Sequence, residues 1–188
     1  MRIGPTTLAR LVAMSFAAGC IAVGAGPVAA EAPRTPAIHP GAIEVGVAGS
    51  FKRQSGVQKG TLWARGGMFA KAPGGLGGAE VGFGYTHESA LDVFEVEGTV
   101  NWGRRLKATG HYPYVSVGGG WRFDNVGSFS QSRYPVGFGV GIRSLVGLKA
   151  GFRLEYRYRR VLGDPVEDFS EHEIVVGVSV FFRNTNNY

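Results

Sequence analysis

His87 and Ser89 place an imidazole and a hydroxyl two residues apart, with Glu95 and Glu97 a few positions further on. A serine becomes a nucleophile when a base lies within hydrogen-bond reach and a third group orients that base. His87, Ser89 and Glu97 are therefore the candidate catalytic residues, and the chemistry they would allow is nucleophilic attack by a serine. The other histidines, His39, His111 and His172, are scattered and suggest no metal site. No metal and no cofactor is expected.

A second set of residues suggests ion pairing rather than catalysis. Glu44, Glu80, Glu95, Glu97 and Glu155 recur at alternating positions, as do Arg65, Arg122, Arg153, Arg157 and Arg159. Five acids and five bases on one face of a structure would pair, because a buried charge without a partner is strongly destabilising. Asp164, Glu167, Asp168 and Glu171 form a further acidic cluster that could attract cations. Simple solvation of a loop is the preferred reading of that cluster, since charged loops are the norm outside membranes.

The elements that carry these residues must be strands. The chain has 31 glycines in 188 residues, more than twice the usual ~7%. Glycine costs ~1 kcal/mol at each helix-interior position, which disfavours a helix bundle. Aromatic residues make up 12% and charged residues only 18%, the reverse of a disordered composition. One cysteine excludes an internal disulfide framework and a cysteine zinc site. Without Arg2 and Arg10 of the first thirty residues the net charge falls from +6 to +4, mild and dispersed, so no nucleic-acid partner is expected.

Period-two alternation runs from Ala42 to Phe182 in eight segments: 43–51, 61–70, 79–87, 92–102, 112–123, 134–142, 152–159 and 173–182. One parity is aliphatic and aromatic, as in Val115, Val117, Gly119, Trp121 and Phe123. The other is small or charged, as in Ser116, Gly118, Gly120 and Arg122. In a soluble barrel the apolar face packs inward, and Gly46, Gly82, Gly84, Gly118, Gly120, Gly137, Gly139 and Gly141 would be surface strand residues. Glycine weakens a strand and has no packing role there. In a membrane barrel the apolar face meets lipid and the small, polar face fills a narrow interior. Segments of this length suit tilted spanning strands of ~9–11 residues, and the even number suits bacterial outer-membrane barrels. The expected fold is therefore an all-β, eight-stranded, antiparallel up-and-down transmembrane barrel. Its ten inward charges would form a network closing the lumen. A soluble lipocalin-like periplasmic binder is the alternative.

If the first strand runs outward, Phe51, Tyr85, Phe94, Trp121, Phe123, Tyr134 and Tyr158 fall near one rim, and Trp102, Phe152 and Phe182 near the other. Aromatic girdles at both interfaces are a barrel feature. Outward loops are expected at 52–60, 88–90, 124–133 and 162–171.

Residues 1–30 have a basic start at Arg2 and Arg10, an apolar run and a small-residue end at Val28, Ala29 and Ala30. That is the pattern of a cleaved secretory signal peptide. A retained membrane helix is the alternative, but Gly24, Gly26 and Pro27 interrupt it. Ala17, Ala18, Gly19 and Cys20 offer a second processing site, of bacterial lipoprotein type. Pro33, Pro36 and Pro40 make 31–41 an extended periplasmic leader. The barrel would occupy 42–182, with a polar tail at 183–188.

The run Pro113-Tyr114-Val115-Ser116-Val117-Gly118-Gly119-Gly120-Trp121, the strand from Gly137 to Arg143 and the strand from Leu154 to Tyr158 carry a resemblance. Over 42–182 the chain resembles the OmpA-like and opacity-type outer-membrane β-barrel domain. The resemblance implies a barrel in the bacterial outer membrane; it is specific for architecture and not for activity. The protein is expected to be monomeric and non-enzymatic, with a structural or surface-interaction role. Its implied partners are outer-membrane lipids, including lipopolysaccharide, and the barrel assembly machinery. Gly177, Val180 and Phe182 are similar to the signal that machinery reads, although Val175 stands where a polar residue is usual and the chain runs on to Tyr188. The lipid A deacylases, another family of such barrels, use a His-x-Ser pair with a glutamate. His87, Ser89 and Glu97 match that pattern in spacing only.

Overall fold

The computed structural model describes residues 38–54, 57–88, 91–106, 110–126, 129–146, 149–163 and 168–183. The expected signal peptide with Cys20, leader residues 31–37, Ser89 and tail residues 184–188 lie outside the described residues.

Eight strands form one closed antiparallel barrel in chain order. They are β1 (Ala42–Gln54), β2 (Val57–Ala72), β3 (Gly75–Glu88), β4 (Leu91–Gly103), β5 (His111–Val126), β6 (Phe129–Val146), β7 (Ala150–Leu162) and β8 (Phe169–Arg183). Each pairs with its neighbour, and β1 closes on β8 from Ala42 opposite Arg183 to Arg53 opposite His172. Closure leaves no edge strand with unpaired backbone groups, the requirement for crossing a bilayer with strands. Eight strands also set an interior width that side chains alone can fill.

Every strand is longer than its alternation suggests, because the hairpins zip past the girdle rings. Gln54 pairs with Val57 and Val126 pairs with Phe129. Much of the expected loops at 52–60, 124–133 and 162–171 is therefore ladder. Polar residues hid this from a hydrophobicity pattern, although they keep the same period. Strand β8 likewise runs to Arg183, one residue past the expected barrel end.

The interior is inverted relative to a soluble protein. Phe51, Val117 and Phe138 point outward and are 60–70% exposed, whereas Glu171 and Glu173 are fully buried inside. Glycines on the inner face make room for large side chains opposite them. A Cβ at Gly84 would sit 2.9 Å from the Trp63 ring, and one at Gly141 would sit 2.6 Å from the Tyr114 hydroxyl. The two-residue turn between β2 and β3 needs Gly74, whose φ is 70°.

At the end of the barrel carrying Ala42 and Arg183, Phe69, Leu76, Tyr112, Tyr114 and Phe181 pack into an apolar plug with Ile38 and Ala42. Phe69 and Tyr112 meet edge to face at 5.8 Å. Ile38 is fully buried, so the last residues of the expected extended leader instead fold onto the barrel mouth. The sequence pattern missed this plug because its rings share parity with the polar residues.

One rung region is interrupted. Strands β5 and β6 keep one register on both sides of it, Gly119 opposite Val136 and Arg122 opposite Arg133, but the two pairs between are lost. By that register Gly120 faces Pro135, which has no N–H to donate. Pro135→Ala is expected to restore the rung, stabilise the barrel by about 1 kcal/mol, and slow amide exchange around Gly120 and Trp121. Hydrogen exchange and urea titration in lipid vesicles measure both.

Candidate functional site: a charged lumen inside an apolar wall

Strict alternation in β4 and β7 aims Glu95 and Glu97, and Arg153, Glu155, Arg157 and Arg159, into the lumen from nearly opposite positions in the barrel order. All ten charged residues singled out from the sequence lie on the inner face and are buried. Lys52, Asp124, Arg143, Glu171 and Glu173 join them.

The pairs form a continuous chain along the barrel. Near the plug, Arg143 Nε lies 3.0 Å from Glu44, which also accepts a hydrogen bond from Ser179 at 2.7 Å. Arg143 pairs with Glu80 too. Glu80 accepts from Arg153 at 2.5 Å and from Asn101 at 2.8 Å. Arg153 donates to Glu155 at 2.6 Å, and Ser116 donates to the same carboxylate at 2.7 Å. Arg157 links Glu155 at 3.0 Å to Glu97 at 2.8 Å.

Arg159 is the hub of the other half. It pairs with Glu95 and reaches Glu171 at 2.8 Å, Glu97 at 3.5 Å and Glu173 at 3.5 Å. Lys52 donates to Glu95 at 2.7 Å. Arg122 joins Glu171 at 2.6 Å to Asp124 at 3.1 Å, and Arg133 meets Asp124 at 3.1 Å. Cation–π contacts add to the chain: Arg143 lies 4.2 Å from the Tyr114 ring centre and Arg65 4.7 Å from that of Trp63. Arg65 is held less tightly by charge, with Glu80 at 3.8 Å.

Three of the added residues revise expectations. Lys52, Asp124 and Glu171 fall inside expected loops, yet strand pairing carries their side chains inward. Glu171 thus belongs to the lumen and not to an acidic loop tip; Asp164 and Glu167 lie outside the described residues. Glu173 heads the expected last segment on its polar parity, and only the cross-lumen distances identify its role. Arg143 follows Ile142 at the same parity as Gly139 and Gly141, a signal present in the sequence beyond the end of the expected segment.

Of the candidate catalytic residues, His87 and Glu97 do not come together, and Ser89 lies outside the described residues. Glu97 faces the lumen and is held by Arg157, while His87 faces outward at the far end of β3. The carboxylate on His87 is Asp92, 2.7 Å away, which also accepts from Tyr85 at 2.9 Å. Opposite strand parity separates Glu97 from His87, and cross-strand register puts Asp92 there instead.

A cavity of about 10 Å³ lies against the β5–β6 wall, lined by Glu97, Thr99, Ser116, Arg159 and Pro135. It has room for about one water. Around it lie the buried, paired side chains of the charge network.

Outside, the rings collect toward the end of the barrel opposite the plug. Tyr85 and Phe94 are 5.1 Å apart, Trp121 and Tyr134 5.6 Å, and Phe138 and Tyr158 5.6 Å. Trp102, Phe152 and Phe182 fall toward the plug end, where Trp102 donates to the Pro73 carbonyl at 3.1 Å. On β8, Val180 and Phe182 face outward, while Gly177 packs inward against Ala48. Val175 is also inward, buried against Trp63 and Ala48.

No family model matches this chain, and no curated protein sequence matches it. Solved structures do. Neisserial surface protein A superposes with a TM-score of 0.53 at 13% identity, over 75% of this chain and 96% of that one. The N-terminal β-barrel domain of Pseudomonas aeruginosa OprF gives 0.49 at 16% identity, over 76% and 98%. The outer membrane enzyme PagL gives 0.49 at 11% identity, over 70% and 97%. The first of these likenesses supports the closed eight-stranded fold and nothing finer.

Proposed function

We propose that this chain is an integral protein of the bacterial outer membrane, exported by a cleaved signal peptide and inserted by the barrel assembly machinery. In this reading it works as a monomer, surrounded by outer-membrane lipids including lipopolysaccharide, in a structural or surface-interaction role and without enzymatic activity. One observation carries the reading: the outer face is apolar throughout its middle, and the charges are inside and paired. Water outside would reward the opposite arrangement, whereas hydrocarbon outside demands this one.

The filled lumen makes the barrel a plug rather than a pore. Purified protein in planar bilayers is expected to give no single-channel steps, and it should migrate as a folded band that shifts on boiling. Recovery in the aqueous periplasmic fraction would overturn the membrane reading. Stable conductance steps would overturn the closed lumen alone.

The acyl-hydrolase reading loses its glutamate, since Glu97 is engaged by Arg157 inside the barrel. Ser89→Ala is expected to leave the lipid A acylation pattern unchanged, as read by mass spectrometry. A changed pattern would reinstate the enzyme.

A further inference from the structure

The two ends of the barrel differ in charge. At the plug end the exposed or half-buried ionised side chains among the described residues are Lys71, Arg104, Arg105 and Lys149, all cations. The nearest acids, Glu44 and Glu80, are buried and taken up by Arg143 and Arg153. The opposite end mixes signs: Arg53 and Arg160 stand there with Asp92 and Asp168, and Arg160 lies 3.6 Å from Asp168.

The cations sit where the apolar wall stops. Arg104 follows Trp102 by two residues, and Lys149 precedes Phe152 by three. Lys71 lies just past Met68 on β2. Lys71 faces Leu76 and Leu76 faces Gly103, so Lys71 and Arg104 are about two strand spacings apart, roughly 10 Å. Strand parity turns Lys71 toward the mouth, with Phe69 and Leu76, and Arg104 outward, with Trp102, so the two cations mark separate points of the rim. Lys149 stands at the start of β7, so the basic residues are spread around the mouth rather than confined to one hairpin.

We propose that this rim binds the phosphate groups of anionic glycerophospholipids in the periplasmic leaflet. The inference rests on the membrane reading above and on the chain ends facing the periplasm. An arginine fork suits a phosphate, and lysine adds a point charge. A cation held near an anionic lipid surface gains attraction that dies away within a Debye length, so headgroup depth is where it acts. The aromatic plug seals the mouth behind the rim, so the headgroup is held at the surface and no acyl chain enters.

The test reconstitutes the full-length protein in bilayer discs of equimolar phosphatidylglycerol and phosphatidylethanolamine. Lipid that stays with the protein on detergent extraction is then counted by mass spectrometry. Wild-type protein should retain the anionic lipid over the zwitterionic one. The triple variant Lys71→Gln, Arg104→Gln, Lys149→Gln should lose at least about fivefold of that preference, the effect of roughly one cation near a charged surface. Arg105 is left in place because it reaches the Ile38 carbonyl at 3.4 Å. A control with Arg53→Gln and Arg160→Gln should keep the preference. The proposal is overturned if folded, heat-modifiable wild-type protein retains no more anionic lipid than the triple variant, or if the control loses as much. It is also overturned if the three cations select lipopolysaccharide over phosphatidylglycerol when both are offered. Wild-type protein that never enters the discs or shows no heat shift defeats the membrane reading instead, and the rim falls with it.

Discussion

Arg159→Met destabilises the barrel by about 3–5 kcal/mol, the usual cost of removing one partner from a buried charge cluster. The loss is uneven among the four carboxylates around that guanidinium. Glu95 keeps Lys52, Glu171 keeps Arg122 and Glu97 keeps Arg157. Among the described residues Glu173 keeps only Lys52 and Arg157, each at 4.0 Å, and it is fully buried. Glu173 is therefore the group left stranded. Adding Glu173→Gln to the methionine variant should return about 1–2 kcal/mol, a coupling of the size expected for direct contacts. Urea titration in lipid vesicles measures the two single variants, the double variant and the wild type. A single-variant loss under about 1 kcal/mol would mean that the lumen charges are replaceable filling.

Val117→Lys costs about 2–4 kcal/mol if the outer face lies in hydrocarbon. Val117 is outward on β5, pairs with Phe138 and Val100, and lies between Val115, which faces Trp102, and Trp121. Ser132→Lys is the matched control. It also faces outward, on β6, but beyond Trp121 and Tyr134, where a charge should cost about 0–1 kcal/mol. Both positions are exposed on the isolated molecule, so in water neither lysine should matter. A depth-dependent difference in vesicles is the expected result. Equal, small effects at both sites would place the protein in water.

The fold was largely legible because a strand's two faces differ in composition here. Val115, Val117 and Trp121 against Ser116, Gly118 and Arg122 reveal both the strand and its inverted sense. Strand ends were not legible, since Lys52, Asp124 and Glu171 are polar in a polar setting whether paired or looped. The His87–Ser89 spacing misled in one respect. Proximity in sequence put Glu97 near His87, and the pleat turns Glu97 to the other side of the wall.

Alternation along the chain depends only on backbone geometry, since successive side chains of a strand must point to opposite faces. The ten charged residues, the glycines beside them and the apolar band could therefore be assigned to their faces from residue order alone. Partners across the lumen depend on closure and register instead. Arg159 meets Glu95 and Glu97 over 60 positions away because β4 and β7 face each other across a closed ring. The same closure brings Ile38 under the plug, gives Glu173 its dependence on Arg159, and leaves one end of the barrel with a basic rim. A local pattern carries no information about those distances, because they exist only after eight strands have joined.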